Sequence, residues 1–261
     1  MALIDCKFFS DTLGMSSSML VILPEQTQGQ IGLTGQTRSS DGRYPTLFLL
    51  HGLSDDETIW LRRTSIERYV APLGLAVVMP NVHRSFYVNM AHGPRYWDFV
   101  SDELVRKARG FFPLSSRRDD TFVAGLSMGG YGSLLLGLRK PEQFAAAASL
   151  SGACEAGQVP ERAGAEHDLV FGRENQVRGS ELDPRHLASE LAASDRPRPK
   201  LYQCCGTSDF LYAENVRFRD HVRALPFDHT YEEGPGEHEW GYWDTMIQRV
   251  LRWLPLPATR K

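Results

Sequence analysis

The chain predicts an α/β fold: a largely parallel sheet with helices on both faces. Two observations carry that prediction. Short apolar runs alternate with longer amphipathic ones along most of the length. In addition, the apolar run 121–124 passes through Gly125-Leu126-Ser127-Met128-Gly129 straight into a helix-like stretch beginning Gly130-Tyr131-Gly132-Ser133-Leu134, which is the strand–turn–helix setting of a nucleophile elbow. With 261 residues, 42% of them hydrophobic, the chain can bury a substantial core. The expectation is one domain over 1–261, with a small cap or excursion around 153–182.

Residues 6–12 and 18–23 are β-like and meet around Gly14, which suits an antiparallel pair at the sheet edge. Residues 26–43 are polar and glycine-rich and read as a loop. Strands are then expected at 46–50, 75–79, 121–124, 145–150, 200–205 and 229–232. Between the first two of these, 58–73 reads as a single helix, with Ile59, Ile66, Tyr69, Val70 and Leu73 on one face and Gly74 as its stop. A helix at 99–108 precedes the elbow strand. Asp183 and Pro184 suit the N-cap and first turn of a helix running to about Ala193, and 211–225 is a further helix. The last helix, 239–254, places Trp240, Trp243, Ile247, Val250, Leu251 and Leu254 toward the core. Residues 153–182 are polar, hold several glycines and are too short for a second domain.

A net charge of −3 gives no electrostatic reason for nucleic acid or an anionic membrane as partner. The expected partner is a small-molecule ester, and a homo-oligomer is left open. Four cysteines, two of them adjacent at Cys204 and Cys205, match neither a disulfide framework nor a C-x-x-C site and read as reduced core residues. The eight histidines show no zinc-ligand spacing, so no metal is expected. Asp5 and Lys7 interrupt the first apolar segment, unlike a secretory signal, and no apolar run approaches the ~20 residues that span a bilayer. The expected location is the cytoplasm.

A serine is a poor nucleophile unless a base removes its proton, an acid orients that base, and donors await the oxyanion. Ser127, at the elbow, is the candidate nucleophile. Asp209 follows the apolar strand at 200–205, so its carboxylate would lie at a strand's carboxyl end, where α/β sheets carry their sites. It could instead cap the helix starting near Leu211, and Asp183, Asp195 and Asp228 are rival carboxylates. His238 lies between the last strand and the last helix, and its loop position favours it over His221 and His229. The order Ser127, Asp209, His238 is that of the α/β-hydrolases. The oxyanion donors would be the N–H groups of Met128 and of Leu53, the latter in the turn Leu49-Leu50-His51-Gly52-Leu53-Ser54. His51 reads as a brace of that turn. The acidic run at 55–57 reads as a favourable helix start rather than a cation site. Trp60, Tyr87, Tyr131, Phe210 and Trp240 lie near these elements in the sequence, and Trp60 and Tyr131 are the candidates to line an acyl pocket.

These motifs resemble the esterase D and tributyrin esterase branch of the α/β-hydrolases, related to S-formylglutathione hydrolases and to acetyl and feruloyl esterases of carbohydrate-esterase type. The resemblance covers nearly the whole chain: the N-terminal β pair, Leu50-His51-Gly52-Leu53 with Trp60 beyond it, Arg84-Ser85-Phe86-Tyr87, Tyr96-Trp97-Asp98-Phe99, the elbow with Gly130, Gly206-Thr207-Ser208-Asp209-Phe210-Leu211, and Gly236-Glu237-His238-Glu239-Trp240. The last block and His51-Gly52-Leu53-Ser54-Asp55-Asp56 look nearer to tributyrin esterases. The resemblance implies an eight-stranded, mostly parallel sheet and hydrolysis of short-chain acyl esters with neither metal nor organic cofactor. The reading is thus a serine carboxylesterase working through an acyl-enzyme. Its rivals are a thioesterase of S-formylglutathione type, a feruloyl or acetyl esterase of carbohydrate esters, an acyltransferase, and a non-catalytic binding module.

Overall fold

The computed structural model describes residues 1–25, 42–158, 165–173 and 176–256. Eight strands are present among them: β1 (Ala2–Ser10), β2 (Met15–Leu23), β3 (Thr46–Leu50), β4 (Ala76–Pro80), β5 (Thr121–Leu126), β6 (Ala146–Leu150), β7 (Lys200–Gly206) and β8 (His229–Gly234). They form one sheet in the order β1-β2-β4-β3-β5-β6-β7-β8. The β1–β2 and β2–β4 pairs are antiparallel and every other pair is parallel. All eight expected strands are there, within a few residues of their expected ends. Of the expected loop at 26–43, residues 26–41 lie outside the described residues, as do 159–164 and 174–175 of the excursion.

The run Leu47-Phe48-Leu49-Leu50 is apolar throughout because alternate side chains enter two different cores. Phe48 and Leu50, with Val123 and Ala147, pack against Tyr131, Leu134 and Leu138 on one face. Leu47 and Leu49, with Phe122 and Ala148, meet Ile66, Val70, Ile247 and Val250 on the other. Chain order reverses at β3, which pairs with β4 on one side and β5 on the other. Such a reversal opens a crevice at the carboxyl ends of the strands. The turn after β3 and the turn after β5 both open there.

The helices are α1 (Ile59–Arg63), α2 (Ile66–Val70), α3 (Tyr96–Asp98), α4 (Leu104–Phe111), α5 (Met128–Arg139), α6 (Ala165–Phe171), α7 (Pro184–Ala192), α8 (Tyr212–Arg223) and α9 (Trp240–Trp253). The single helix expected at 58–73 is broken. Thr64 takes an extended conformation, its hydroxyl donates to Trp60 O at 2.6 Å, and it accepts from Ile66 N–H at 3.1 Å. This local side-chain bonding ends α1 and starts α2. Gly74 does close the segment, in the left-handed conformation at φ 59°. Asp183 caps α7 as expected, accepting from Arg185 N–H at 3.0 Å with Pro184 in the first turn. The helix expected at 99–108 starts earlier, at Tyr96, and contains a π-helical turn over Phe99–Glu103.

Glu103 in that turn explains how the edge hairpin is fastened to the body. Its buried carboxylate accepts from Ser10 Oγ at 2.5 Å, Asp11 N–H at 2.9 Å and Thr12 N–H at 3.1 Å, so it closes the β1–β2 turn. Burial alone would raise its pKa, but the bonds from Ser10, Thr12 and Asp11 outweigh burial and bring it down to about 2. A carboxyl depressed in the fold stabilises it above the unfolded-state value, and that stabilisation is lost as pH falls through the folded value. Glu103→Gln, which turns a donor amide toward these donors, is therefore expected to cost about 2 kcal/mol at neutral pH. In urea titrations the gap to the parent should hold down to about pH 4.5 and shrink between there and about pH 2.

Candidate active site

The strand β5 runs into α5 through Ser127, whose backbone sits at φ 53°, ψ −115°. A non-glycine residue at positive φ is strained. Here the neighbours fix it: Ser127 N–H donates to Leu150 O at 2.9 Å, and Ser127 O accepts from the N–H groups of Tyr131 and Ala153, both at 3.1 Å. The turn is tight enough to need the flanking glycines. A Cβ on Gly125 would lie 2.4 Å from Gly129 O, and one on Gly129 would lie 2.6 Å from Leu50 O. The start of α5 thus packs directly on the end of β3, which carries the turn to Leu53.

Asp209 and His238 converge on Ser127 from the loops after β7 and β8. Those strands pair in parallel up to Gly206 and Gly234, so their loops leave side by side. Two backbone bonds then lash the loops together, Thr207 N–H to Gly234 O at 2.9 Å and Ser208 N–H to Gly236 O at 3.0 Å. His238 Nε2 lies 2.9 Å from Ser127 Oγ. Its Nδ1 lies 2.9 Å from Asp209 Oδ2 and 3.1 Å from Oδ1. With the ring proton on Nδ1 facing a carboxylate, Nε2 presents its lone pair to the hydroxyl. Asp209 also accepts from Leu211 N–H at 2.8 Å. Of the two readings of Asp209, the structure shows the pairing with the histidine; the following helix, α8, has Leu211 as its N-cap with no side-chain bond, and the Leu211 N–H that Asp209 accepts lies in the turn before it. Burial pushes its carboxyl up, but hydrogen bonds from His238, Leu211 and Ser151 outweigh burial and leave it below the ordinary carboxylate range. Of the rival groups, Asp183 is taken up by α7, Asp228 pairs with Lys200 at 3.4 Å, and His221 bonds Ser189 Oγ at 2.9 Å.

Aromatic rings hold the imidazole on two sides. Trp243 meets it edge-to-face at 4.8 Å between centroids, and Phe210 lies tilted at 4.6 Å. Trp243 Nε1 donates to Ser151 Oγ at 3.1 Å, and the Ser151 hydroxyl is one of the groups that lower the Asp209 pKa. Ser151, buried at φ 46° just beyond β6, was not picked out in the sequence. Its signal was a serine directly after an apolar strand at the carboxyl rim.

Beside Ser127 lies a cavity of about 150 Å³, lined by Leu53, Phe86, Met128, Ala153 and Phe210, with Glu155 and Glu214 as its acidic members. Glu155 is held by Arg217 in a two-pronged pair at 2.8 and 2.6 Å. Leu53 and Met128, the expected oxyanion donors, border the same space as the Ser127 hydroxyl. The expectation for Trp60 and Tyr131 is corrected: neither lines this cavity. Trp60 is buried one layer behind, donating from Nε1 to Leu50 O at 3.0 Å and meeting Trp240 edge-on at 5.3 Å. Tyr131 is fully buried and donates to Leu182 O at 2.7 Å. Each satisfies its polar atom inside the core, as large buried aromatics do. The rings at the cavity are Phe86, backed by Phe171 of α6 at 5.3 Å, and Phe210, 66% exposed at its mouth. The excursion thus reaches the cavity wall. A fork of hydrogen bonds from Arg84 to Glu166, both at 2.6 Å, ties α6 to the turn carrying Phe86.

Among the described residues, no helix is long and apolar enough to cross a membrane, and no cluster of three or more His, Cys, Asp or Glu side chains could hold a metal. The chain matches the Esterase family over residues 10–254. It is 31% identical over 264 residues to an acetyl esterase of Caldicellulosiruptor saccharolyticus, covering 97% of this chain and 98% of that one. Among solved structures it is 40% identical to FphF, a fluorophosphonate-binding serine hydrolase of Staphylococcus aureus in a substrate-bound form, with a TM-score of 0.86 over 97% of this chain and 98% of that one. The S-formylglutathione hydrolase FrmB of Staphylococcus aureus is likewise 40% identical, with a TM-score of 0.85 over the same shares. The chain therefore belongs to the Esterase family, in its esterase D-like branch of the α/β-hydrolase fold, and is a carboxylic ester hydrolase.

Proposed function

We propose that the protein is a serine carboxylesterase that cleaves short acyl esters of small molecules through an acyl-enzyme on Ser127. The observation that carries this reading is the hydrogen-bonded line from Ser127 Oγ through His238 to Asp209, with 2.9 Å at each junction, opening on a small apolar cavity. His238 Nε2 takes the Ser127 proton as Oγ bonds to the ester carbonyl carbon. The carbonyl electrons move to oxygen, where the Leu53 and Met128 N–H groups receive the charge. As the tetrahedral adduct collapses, the alkoxide leaves with the proton held by His238. Water, deprotonated by the same imidazole, then attacks the acyl-enzyme and frees the acid. Asp209 stays ionised and stabilises the imidazolium in both halves.

The modest cavity, walled by Phe86 and Ala153, suits a short acyl group, and the likeness to an acetyl esterase agrees with that. The reaction needs neither metal nor organic cofactor. All four cysteines are unpaired, which fits the reducing conditions of a cytoplasmic enzyme. The likeness to an S-formylglutathione hydrolase favours a second reading, a thioesterase, since the same machinery cleaves either bond. Parallel kcat/KM values for acetyl to octanoyl oxygen esters and for S-formylglutathione separate the two. Oxygen esters of two to four acyl carbons are expected to be best, and a dominant thioester rate would reverse the order.

Ser127→Ala is expected to lower kcat by roughly 10^3 to 10^6 with KM and melting temperature little changed, because the hydroxyl supplies chemistry and little packing. Wild-type protein treated with a fluorophosphonate should gain one adduct on Ser127 by peptide mass.

A further inference from the structure

At the end of β3, three consecutive backbone carbonyls each accept a hydrogen bond from a side chain in the core. Trp60 Nε1 donates to Leu50 O at 3.0 Å, and Tyr87 OH donates to His51 O at 2.9 Å. The His51 ring reaches forward to its own chain, with Nδ1 2.7 Å from Gly52 O. The tautomer follows from the other nitrogen. Val82 N–H donates to His51 Nε2 at 3.1 Å, so Nε2 is the acceptor and Nδ1 carries the proton that Gly52 O receives. Burial keeps this imidazole neutral by lowering its pKa to about 4.

The bond to Gly52 O bears on the site because a trans peptide is planar. The carbonyl of Gly52 and the N–H of Leu53 belong to one rigid unit and point in opposite directions. Fixing the oxygen aims the N–H. Among the described residues no acceptor takes up the Leu53 N–H, and Leu53 borders the cavity beside Ser127 and Met128. Tyr87 fixes the preceding peptide, so the unit cannot swing about its upstream bond. Tyr87 is itself clamped: its ring lies over Gly132, where a Cβ would come within 2.5 Å, and its backbone is held at φ 60° in a turn that also strains His83 and Phe86.

We propose that His51 and Tyr87 are positioning residues for the oxyanion site, His51 by orienting the peptide that carries the Leu53 N–H and Tyr87 by locking the peptide before it. Neither touches substrate. The inference rests on the esterase reading and adds to it the groups that preorganise one of the two donors. Preorganised donors act on the transition state and not on the ground state. Losing their alignment therefore lowers kcat and leaves KM in place, whereas a purely structural role lowers the melting temperature and leaves the turnover of folded protein intact.

The test uses the full chain as Tyr87→Phe, His51→Ala and His51→Asn, with Ser127→Ala as control. Tyr87→Phe, which loses a single oxygen, is expected to lower kcat about 10-fold and His51→Ala about 100-fold, with KM within about 2-fold of the parent, because misaligning a donor costs up to the ~10^2 to 10^3 that follows from losing one outright. Affinity for a trifluoromethyl ketone matching the acyl group, whose adduct carries the oxyanion, should fall by the same factors. Affinity for the product carboxylic acid should not. His51→Asn places an amide N–H near the position of Nδ1 and should recover most of the His51→Ala loss. Unchanged kcat and ketone affinity in folded Tyr87→Phe would overturn the proposal even if His51→Ala fails to fold, and so would a loss confined to KM. Activity surviving in Ser127→Ala would instead overturn the esterase reading, so the two failures are distinguishable.

Discussion

The site depends on how closely the start of α5 approaches the end of β3. Only backbone fits between them, with Gly129 on one side and the Leu50 and His51 carbonyls on the other. The reversal of strand order at β3 opens the crevice, and this contact sets its width. One wall then carries Ser127 and the Met128 N–H, and the facing wall carries Leu53. The strain of Ser127 at positive φ costs about 1–3 kcal/mol. It is offset by bonds that take up both its N–H and its carbonyl, so the hydroxyl is the part of the residue left for chemistry.

The other half of the site is assembled by parallel pairing. Because β7 and β8 stay in register to their last residues, the loops bearing Asp209 and His238 start as neighbours. The aromatic pair Phe210 and Trp243 then confines the imidazole without offering it a competing acceptor. Ser151 joins the two halves. It sits beyond β6, accepts from Trp243 of α9, and helps to lower the Asp209 pKa, so it bears on both the ring that braces His238 and the carboxylate that faces it.

The strands and the meeting of Ser127, Asp209 and His238 were readable because each position is set by local pattern: apolar runs that feed two cores, and polar residues just past their ends. What the sequence hid is depth. Trp60 and Phe86 are both aromatic and both near the predicted elements, and one is a core brace while the other walls the cavity. Nothing in spacing separates them. The turn holding Phe86 at φ 52° and Tyr87 at φ 60° is equally invisible, since bulky residues give no advance sign of the left-handed region. Ser151 was missed because its partner Trp243 is 92 residues away. The break at Thr64 was missed because its hydroxyl competes locally with a helix that the apolar periodicity favoured.

Asp209 serves two masters with two oxygens. One oxygen, Oδ1, receives the Leu211 N–H in the turn before α8, and both face the histidine ring. An amide that keeps its oxygen on the Leu211 N–H turns its NH2 toward His238 Nδ1 and so favours the tautomer with the proton on Nε2, which cannot accept from Ser127. The local fold and the chemistry are thus guarded by one carboxylate, so drift at this position meets two independent penalties and even a near-isosteric replacement finds no neutral path.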